Sequence, residues 1–497
     1  MPRHITRRVF VKGSIVTAAS LTIPLASRNV LGANEQLNCA TVGVGGRGGS
    51  HIDALYRQKD VKITAVCDAD KATLDRSAAA TEKKTGGKIA AFTDIRKLLE
   101  DKDLNVVTIA TPNHWHSLMA IWAMQAGKDV YCEKPVSHNV WEGRQVVHAA
   151  RKYNKICQTG TQSRSSRKGI GEAVEYVRSG KLGKIQYAIA TCYKPRQSIG
   201  KLKEPLKIPA NLDYDLWCGP AAKVDLFRPK IHYDWHWDFN TGNGDLGNQG
   251  IHEMDRARWF LGEKALSPRV ISVGGRLGYD DAGNTANTQM VLHDYAAAPL
   301  IFEVRGLPKA DLDWKNGMDN YRGISVGVLV QCEGGYVVNP RYDQSTAYDN
   351  EGKKIQAWSN TDPMTPHVGN FIDAVRSRKH TDLHADIEEG HLSSALCHTG
   401  NISYQLGKKI TGQEGRDKSL EIKAAAETFD RMLEHLKKNG IKVDQDTLTY
   451  GPLLQMDPKT ERFTAAPGGA AQLEAANKLL TRPYRDGYVV PNLSPVA

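Results

Sequence analysis

Three glycines near the start of the chain are spaced for binding a dinucleotide. Gly43, Gly45 and Gly48 follow a short apolar run at 38–42, and a helical pattern begins directly after them. In such a strand–turn–helix unit the first glycine permits the turn, the second lets a pyrophosphate approach, and the third lets helix and strand pack closely. Asp68 ends the next strand pattern, where a carboxylate can accept hydrogen bonds from ribose hydroxyls. The spacing therefore predicts a dinucleotide site.

The type of dinucleotide depends on two oppositely charged side chains. Arg47, beside Gly46 in the glycine turn, is placed to contact a phosphate, including the 2′-phosphate of NADP. Asp68 would repel that 2′-phosphate, because both groups are negatively charged. We therefore expect NAD, with NADP as the alternative. If no dinucleotide binds, the glycines form an ordinary turn of an α/β domain.

Lys134 is placed to move a proton. It follows the buried strand pattern 129–132 through Glu133 and precedes Pro135, which holds the lysine in an extended conformation. At the ligand edge of a sheet its amine can bond a reacting hydroxyl and assist proton removal while a nicotinamide takes a hydride. Desolvation and the cationic ring would lower its pKa and make it a better base. The alternative interpretation is a surface lysine after a strand.

A glycine-rich stretch at 242–255 carries a second group of polar side chains. His252 and Asp255 are three residues apart, so they share a helix face and Asp255 could orient the imidazole. Asp245 and Asn248 precede them and are candidates to bind the substrate. The alternative for His252 is a helix-cap histidine without chemistry.

The stretch 232–239 combines aromatic rings with polar groups, as carbohydrate sites do. Trp235 and Trp237 offer flat faces for the C–H surfaces of a sugar, while His236 can bind hydroxyls. Two further substrate-binding candidates lie elsewhere in the chain: Arg164 and Tyr193. The stretch favours a carbohydrate ligand, although the tryptophans could instead serve packing alone.

The sequence predicts neither a metal site nor a set of disulfide bonds. His232 and His236 have H-x-x-x-H spacing, but no acidic third ligand is fixed by the sequence, so we predict no metal. The eight cysteines form no C-x-x-C pair and several end apolar runs, which predicts reduced, packed thiols. No long basic block marks a nucleic-acid surface.

The N-terminus is typical of an export signal. Thr6-Arg7-Arg8-Val9-Phe10-Val11-Lys12 precedes a modest apolar segment at 14–25 and resembles a twin-arginine signal. The first 33 residues hold five of the Arg and Lys residues and no acid, so a net charge of +11 falls to +6 without them. The pattern predicts transport by the twin-arginine machinery to the periplasm or beyond, where a cofactor must stay bound through turnover. A disordered basic N-terminus is the alternative.

The elements that position these residues alternate between strand and helix as far as residue 158. Strand patterns at 61–67, 106–110, 130–132 and 156–158 are separated by helical ones. Such alternation predicts an α/β domain with a parallel sheet, helices on both faces and ligands beyond the strand carboxyl ends. Further strand patterns follow in the second half of the chain, and a helical region starts at 370.

Two local motifs resemble the Gfo/Idh/MocA family of sugar and cyclitol oxidoreductases. They are strand-T-P-N-x-x-H at 111–116 and A-G-K-x-V-x-x-E-K-P at 126–135. The resemblance covers roughly 36–440. It implies a Rossmann domain followed by an α/β domain whose open, mostly antiparallel sheet carries the substrate and often forms oligomers, so we expect a homo-oligomer. We divide the chain into four segments: a signal at 1–33, a Rossmann domain at 34–158, a substrate-binding domain at 159–440 and an extended tail at 441–497.

The resemblance also implies roles for single residues. The lysine of E-K-P, Lys134, assists proton transfer, and His252 is the candidate acid/base. Four more residues are placed to contact the cofactor: Thr111, Asn113, His116 and Glu133. One position departs from the family pattern, because Asn248 stands where the family has an aspartate. Because an amide cannot act as a carboxylate base, we expect Lys134 and His252 to carry out the proton transfer.

The sequence thus predicts an exported NAD-dependent oxidoreductase that acts on a sugar, glycoside or polyol with a tightly bound nicotinamide. Two other classes stay open. One is a glycosidase or lyase that oxidises, eliminates and then reduces, with His236 or Asp245 as the extra base. The other is a non-catalytic carbohydrate-binding protein that has kept the fold.

Overall fold

A computed structural model describes residues 36–360, 362–418, 422–445 and 447–494. The twin-arginine motif and the rest of the expected signal, residues 1–33, lie outside these ranges. None of the helices in the described ranges combines the length and apolarity needed to cross a bilayer.

The first sheet has six parallel strands in the order β3-β2-β1-β4-β5-β6. This is the doubly wound order in which ligands bind beyond the strand carboxyl ends. The strands are β1 (Leu37–Val42), β2 (Val61–Cys67), β3 (Ala90–Phe92), β4 (Val106–Ile109), β5 (Asp129–Cys132) and β6 (Cys157–Thr159). The connecting helices are α1 (Arg47–Tyr56), α2 (Lys71–Thr85), α3 (Ile95–Leu98), α4 (Asn113–Gln125) and α5 (Val140–Lys152).

Continuous apolar strands explain why this sheet forms. β4 and β5 are buried at every position, as expected for central parallel strands covered on both faces. Helix α4 is buried along nearly its whole length, so its apolar composition is satisfied within the core. All the strand patterns predicted before residue 158 are confirmed within a residue or two.

The second sheet has twelve strands and is mostly antiparallel. Its main path runs β14-β13-β12-β11-β7-β10-β9-β8-β16-β15, β17 joins β8 and β18, and only β7 and β10 pair in parallel among the described pairs. The first strands are β7 (Ile185–Tyr193), β8 (Arg269–Gly275), β9 (Thr288–His293), β10 (Leu300–Arg305), β11 (Val326–Cys332) and β12 (Gly335–Arg341). The others are β13 (Gln344–Tyr348), β14 (Lys354–Ser359), β15 (Lys408–Ile410), β16 (Leu448–Tyr450), β17 (Leu454–Asp457) and β18 (Arg462–Ala465).

The helices of the second half of the chain are α6 (Glu172–Arg178), α7 (Tyr214–Cys218), α8 (Ile251–Leu261), α9 (Met364–Ser377), α10 (Ile387–Gln405), α11 (Gly412–Asp417), α12 (Lys423–Lys438) and α13 (Gly469–Lys478). Of these, α8 and α10 pack on one face of the central strands and α12 packs on the other, whereas α9 packs on the first domain through Phe371 and Tyr131. Successive side chains of a strand point to opposite faces of the sheet and so meet different helices. On β9, Val291 packs with α8 and α10, whereas Met290 and Leu292 pack with α12. The predicted fold class, a Rossmann domain plus an α/β domain with an open, mostly antiparallel sheet, is confirmed.

The end of the chain differs from the extended tail predicted for 441–497. Its described residues contain β16, β17, β18 and α13, and β17 pairs with β8 because Leu454 and Met456 alternate into the core. The longest run without helix or strand among these described residues is 479–494. It lies on the first domain, where Tyr488, Val490 and Leu493 join the apolar core.

Candidate active site

A cavity of about 720 Å³ lies beyond the carboxyl ends of β1, β2, β4 and β5 and reaches the second domain. It brings together most of the predicted site residues. Those in its lining are Gly43, Gly45, Gly46, Arg47, Asp68, Thr111, Asn113, His116, Glu133, Lys134, Trp235, His236, Asn248 and His252.

The glycine turn has the geometry that its spacing predicts. Gly43 has φ of +80°, and a Cβ there would lie 2.6 Å from the backbone nitrogen of Thr111. A Cβ on Gly48 would lie 2.1 Å from the carbonyl oxygen of Gly43, so this glycine lets α1 approach β1. The N-terminus of α1 has no side-chain cap and no acid in its first turn. Its amide groups thus suit the pyrophosphate of a dinucleotide.

Asp68 is held at the edge of this cavity by the backbone. One carboxylate oxygen accepts a hydrogen bond from the amide of Val44 at 2.9 Å, and the other accepts from the amide of Asp70 at 3.0 Å. Burial raises the pKa of Asp68, and these two bonds act against that rise. The arrangement fits a ribose-binding carboxylate.

Glu133 organises the charges next to the glycine turn. Its carboxylate accepts from Arg47 Nε at 2.7 Å and from His51 Nε2 at 3.1 Å, and it is almost fully buried. Burial alone would raise the pKa of Glu133, but the charge of Arg47 and the bond from His51 hold it well below its usual range. Glu133 therefore stays ionised and fixes Arg47 beside the cavity.

Lys134 reaches across the cavity to the second domain. Its ammonium donates a hydrogen bond to the backbone carbonyl of Asn248. That carbonyl belongs to a π-helical turn, Leu246–Gly250, which leads into α8; such turns are common at functional sites. Burial lowers the pKa of Lys134 from its usual value, Glu133 opposes this, and Arg47 adds to it. A larger fraction of the amine is consequently neutral than in a solvated lysine.

His252 lies in the first turn of α8 and faces the same cavity. Burial and the nearby charge of Lys134 hold the pKa of His252 well below its usual range, so its ring is neutral near pH 7. Asp255 does not orient it as predicted. Its carboxylate instead accepts hydrogen bonds from Arg164 at 3.0 Å and Ser393 at 2.7 Å, since these partners from other elements lie on its side of the helix.

The loop after β4 holds the other predicted cofactor contacts. Asn113 donates from Nδ2 to Asn243 Oδ1 at 2.8 Å. The ring nitrogens of His116 lie 2.6 Å from the carbonyl oxygen of Pro135 and 2.8 Å from that of Thr111. The imidazole therefore ties this loop to the segment that carries Lys134.

The aromatic stretch contributes only some of the predicted contacts. Trp235 and His236 line the cavity with their rings stacked, the centroids 3.5 Å apart. Burial lowers the pKa of His236 to about 3, despite the bond from its Nδ1 to the carbonyl of Tyr233.

Four predicted substrate-binding residues do not line the cavity. Each is engaged by a buried ionic or π partner: Arg164 pairs with Asp255 and Glu389, Tyr193 lies under Arg305, and Trp237 and Asp245 both contact Arg196. We predicted these residues from their type and from their nearness to a motif. A single sequence does not show the partners that engage them, because those partners come from distant regions of the chain. In the described structure these four side chains are engaged by protein partners and lie off the cavity.

Several lining residues were missed by the sequence reasoning. They are Thr73, Arg76, Ile95, Gln162, Leu216, Trp217 and Tyr342. His232 and Tyr233 also line the cavity, and both belong to the stretch 232–239 that the sequence analysis proposes as a carbohydrate site. Tyr342 lies in the turn between β12 and β13, where no local motif points to it.

All eight cysteines are buried free thiols. No group of three or more His, Cys, Asp or Glu side chains among the described residues could hold a metal ion.

Curated bacterial proteins with glycosidase names resemble part of the chain in sequence. A glycosyl hydrolase family 109 protein of Shewanella baltica is 31% identical over 175 residues, which cover 34% of this chain and 38% of that protein. An alpha-N-acetylgalactosaminidase of Shewanella oneidensis is 29% identical over 210 residues, 38% of this chain and 46% of the relative. The chain thus spans less than half the length of these curated relatives.

Solved structures share the fold at low identity. The WlbA dehydrogenase of Bordetella pertussis, crystallised with NADH and UDP-GlcNAcA, has a TM-score of 0.52 and 20% identity, covering 73% of this chain and 94% of that one. A levoglucosan dehydrogenase in complex with NADH and levoglucosan has a TM-score of 0.53 and 19% identity, covering 74% and 98%.

Two family models match, and together they span about half of the chain. Residues 37–161 match the NAD-binding Rossmann fold of the GFO_IDH_MocA oxidoreductase family, and residues 177–303 match its C-terminal alpha/beta domain. With the glycine turn, Asp68 and Lys134 around one cavity, these matches agree with the geometry. The chain belongs to the Gfo/Idh/MocA family of NAD-binding oxidoreductases.

Proposed function

We propose that this protein oxidises a carbinol of a sugar, glycoside or polyol with a nicotinamide cofactor that stays bound. The observation that carries the proposal is the position of Lys134. Its half-buried amine, with a lowered pKa, shares one cavity with the glycine turn and with His252. The family and the sugar ligands bound in the two dehydrogenase structures support a carbohydrate substrate.

The chain's own residues divide the work of the oxidation. When bound, NAD supplies the hydride acceptor. The neutral amine of Lys134 takes the proton of the substrate hydroxyl, and its lowered pKa makes the neutral form accessible. His252 is neutral and accepts a second substrate hydrogen bond, while the Asn248 side chain can bind a hydroxyl but cannot act as base.

A tightly held cofactor is supported by the segment 206–238, which we call the strap. Leu216, Trp217 and His232 of the strap line the cofactor cavity together with the glycine turn. Asn211 Nδ2 donates to Asp70 Oδ1 at 2.7 Å, and His232 Nε2 lies 3.0 Å from Asp70 Oδ2. The strap is thereby fastened to the end of β2, next to the ribose-binding carboxylate.

Loosening the strap is expected to release NAD. The double substitution Asn211→Ala/His232→Ala removes both bonds to Asp70 and should speed NAD dissociation about 10-fold. The rate is measured as dinucleotide loss during dialysis of the loaded protein. His380→Ala, which removes a remote exposed ion pair with Asp386, is the matched control and should leave the rate unchanged. Equal rates in all three proteins would show that the strap does not retain the cofactor.

A redox-neutral glycosidase is the second candidate, because the curated relatives carry glycosyl hydrolase family 109 and alpha-N-acetylgalactosaminidase names. It needs an additional base for a C–H proton. Asp245 is bound by Arg196 at 2.7 Å and lies off the cavity, so His236 is the remaining one of the two predicted bases. Its strongly lowered pKa makes it a weak base.

One experiment separates these functions. The purified protein is mixed with a panel of methyl glycosides, free sugars and polyols while the absorbance of bound NADH is followed. A stoichiometric rise with a keto product supports the dehydrogenase. Release of methanol without net NADH supports the glycosidase, and sugar binding without either reaction supports the non-catalytic carbohydrate-binding protein.

We further propose export through the twin-arginine pathway and assembly as a homo-oligomer. The export proposal rests on the motif at 6–12, and the oligomer on the family's use of its open sheet. Retention of the protein in the cytoplasm of a host with intact twin-arginine transport would contradict the first. A monomeric mass by sedimentation would contradict the second.

A further inference from the structure

Tyr342 contacts two side chains of α8 in the wall of the cavity. It lies in the turn between β12 and β13 and contacts the imidazole of His252, with the ring centroids 4.9 Å apart. The guanidinium of Arg256 lies 5.0 Å from the centroid of the same ring. The phenol is therefore held at the substrate end of the cavity, beside the candidate acid/base.

The direction of the hydrogen bond at its hydroxyl follows from its neighbours. Lys194 Nζ donates to Gln249 Oε1 at 3.2 Å, so the carbonyl side of that amide faces the lysine. The amide nitrogen then donates to Glu253 at 3.1 Å and to Tyr342 Oη at 2.6 Å. Because an amide N–H can only donate, the Tyr342 oxygen is the acceptor of this bond.

The hydroxyl hydrogen of Tyr342 is thus left for another acceptor. Burial raises the pKa of Tyr342, so the hydroxyl keeps its proton. Among the described residues, no protein atom accepts a hydrogen bond from it, and the side chain lines the cavity. A half-buried donor that faces a ligand cavity is a group that can select an oxygen of the ligand.

We propose that Tyr342 is a substrate-binding residue that donates a hydrogen bond to a hydroxyl or carbonyl oxygen of the substrate, and that Gln249 is its positioning residue. The inference rests on the proposed function, because it takes the ligand of the cavity to be a carbohydrate. It assigns the part of the cavity wall beside His252 to recognition of substrate oxygen.

The test uses the full-length protein loaded with NADH, whose fluorescence reports sugar binding. The probes are the methyl glycosides, free sugars and polyols of the functional panel. Tyr342→Phe removes the hydroxyl alone and should raise the dissociation constant and KM about 5- to 10-fold, with a smaller effect on kcat. Tyr336→Phe is the matched control, since Tyr336 lies on β12 and stacks with Tyr348 away from this cavity.

A second variant tests the positioning role of Gln249. Gln249→Leu removes the donor that orients the hydroxyl, so it should weaken sugar binding about 3-fold in the wild type and leave Tyr342→Phe unchanged. Such non-additivity separates positioning from general loss of structure, because a structural defect would weaken both backgrounds. Bound NADH content should be the same in every variant.

The outcomes distinguish the two proposals. If the wild type binds a sugar and Tyr342→Phe binds it equally well, the role of Tyr342 is overturned and the proposed function stands. If the wild type binds no sugar or polyol although NADH is present, the proposed function falls, and the role of Tyr342 falls with it. Selective weakening in Tyr342→Phe supports both.

Discussion

Replacing Lys134 with alanine is expected to lower kcat for sugar oxidation by about 10³- to 10⁴-fold while NAD stays bound. The substitution removes the half-buried amine that takes the hydroxyl proton, and it leaves the glycine turn and Asp68 unchanged. The measurements are kcat on the substrate from the panel and dinucleotide content by mass spectrometry. Full activity in Lys134→Ala would refute the mechanism.

The pH dependence of the same reaction should carry the signature of this lysine. Only the neutral amine accepts a proton, so the oxidation rate rises with pH as Lys134 loses its proton. Because burial lowers the pKa of Lys134, the midpoint of this rise should lie below the usual lysine value of about 10.4. This limb of the profile should be absent from Lys134→Ala.

Lys128, a buried lysine outside the cavity, provides the control for structural damage. Lys128 donates to the backbone carbonyls of Asp101 and Leu104, and burial also lowers its pKa, but it lies away from the cavity. Lys128→Met should reduce thermal stability and leave kcat of the folded protein within about 2-fold. A loss of kcat comparable to that of Lys134→Ala would mean that any buried lysine change disturbs the site.

Substituting Gly48 with alanine is expected to abolish NAD retention and to destabilise the protein. The new Cβ would lie 2.1 Å from the backbone oxygen of Gly43, so α1 must move away from β1. Strain of this kind costs about 1–3 kcal/mol, and the displaced helix no longer presents its N-terminus to the pyrophosphate. Thermal unfolding and the dinucleotide content of purified protein measure the two effects.

The neighbouring glycine is the matched control. A Cβ at Gly49 meets no atom within 4 Å, and the residue lies in α1. Gly49→Ala should keep NAD bound and raise stability by about 0.5–1 kcal/mol, because alanine loses less conformational freedom in a helix. If Gly48→Ala retained NAD as Gly49→Ala does, the close approach of helix and strand would not be needed for binding.

The first domain could be predicted almost completely, because its signals are local. Gly43, Gly48 and Asp68 act through spacing along one strand–turn–helix–strand unit. Lys134 follows its strand directly, so the sheet edge fixes where it lies. The parallel order of the strands then brings these residues to one cavity, as the fold rule requires.

The second domain was predicted less well because its side chains are assigned by long-range partners. Arg164 and Asp245 are of a type that binds substrates, but buried charges must be paired, and Asp255 and Arg196 neutralise them within the protein. Tyr342 reaches the site through the pairing of β12 with β13 and through Gln249, about which a single sequence says nothing.

The core of the first domain is completed by residues from the run 479–494, which are synthesised after the second domain. Tyr488 packs edge-on against Trp115, and the amide of Leu493 donates to Gln145 at 2.6 Å, so residues made after the whole second domain complete the core of the first. When the first domain leaves the ribosome, the apolar surface around Trp115 that Tyr488 later covers is therefore still exposed. The first domain therefore reaches its full packing only after residue 493 has been synthesised.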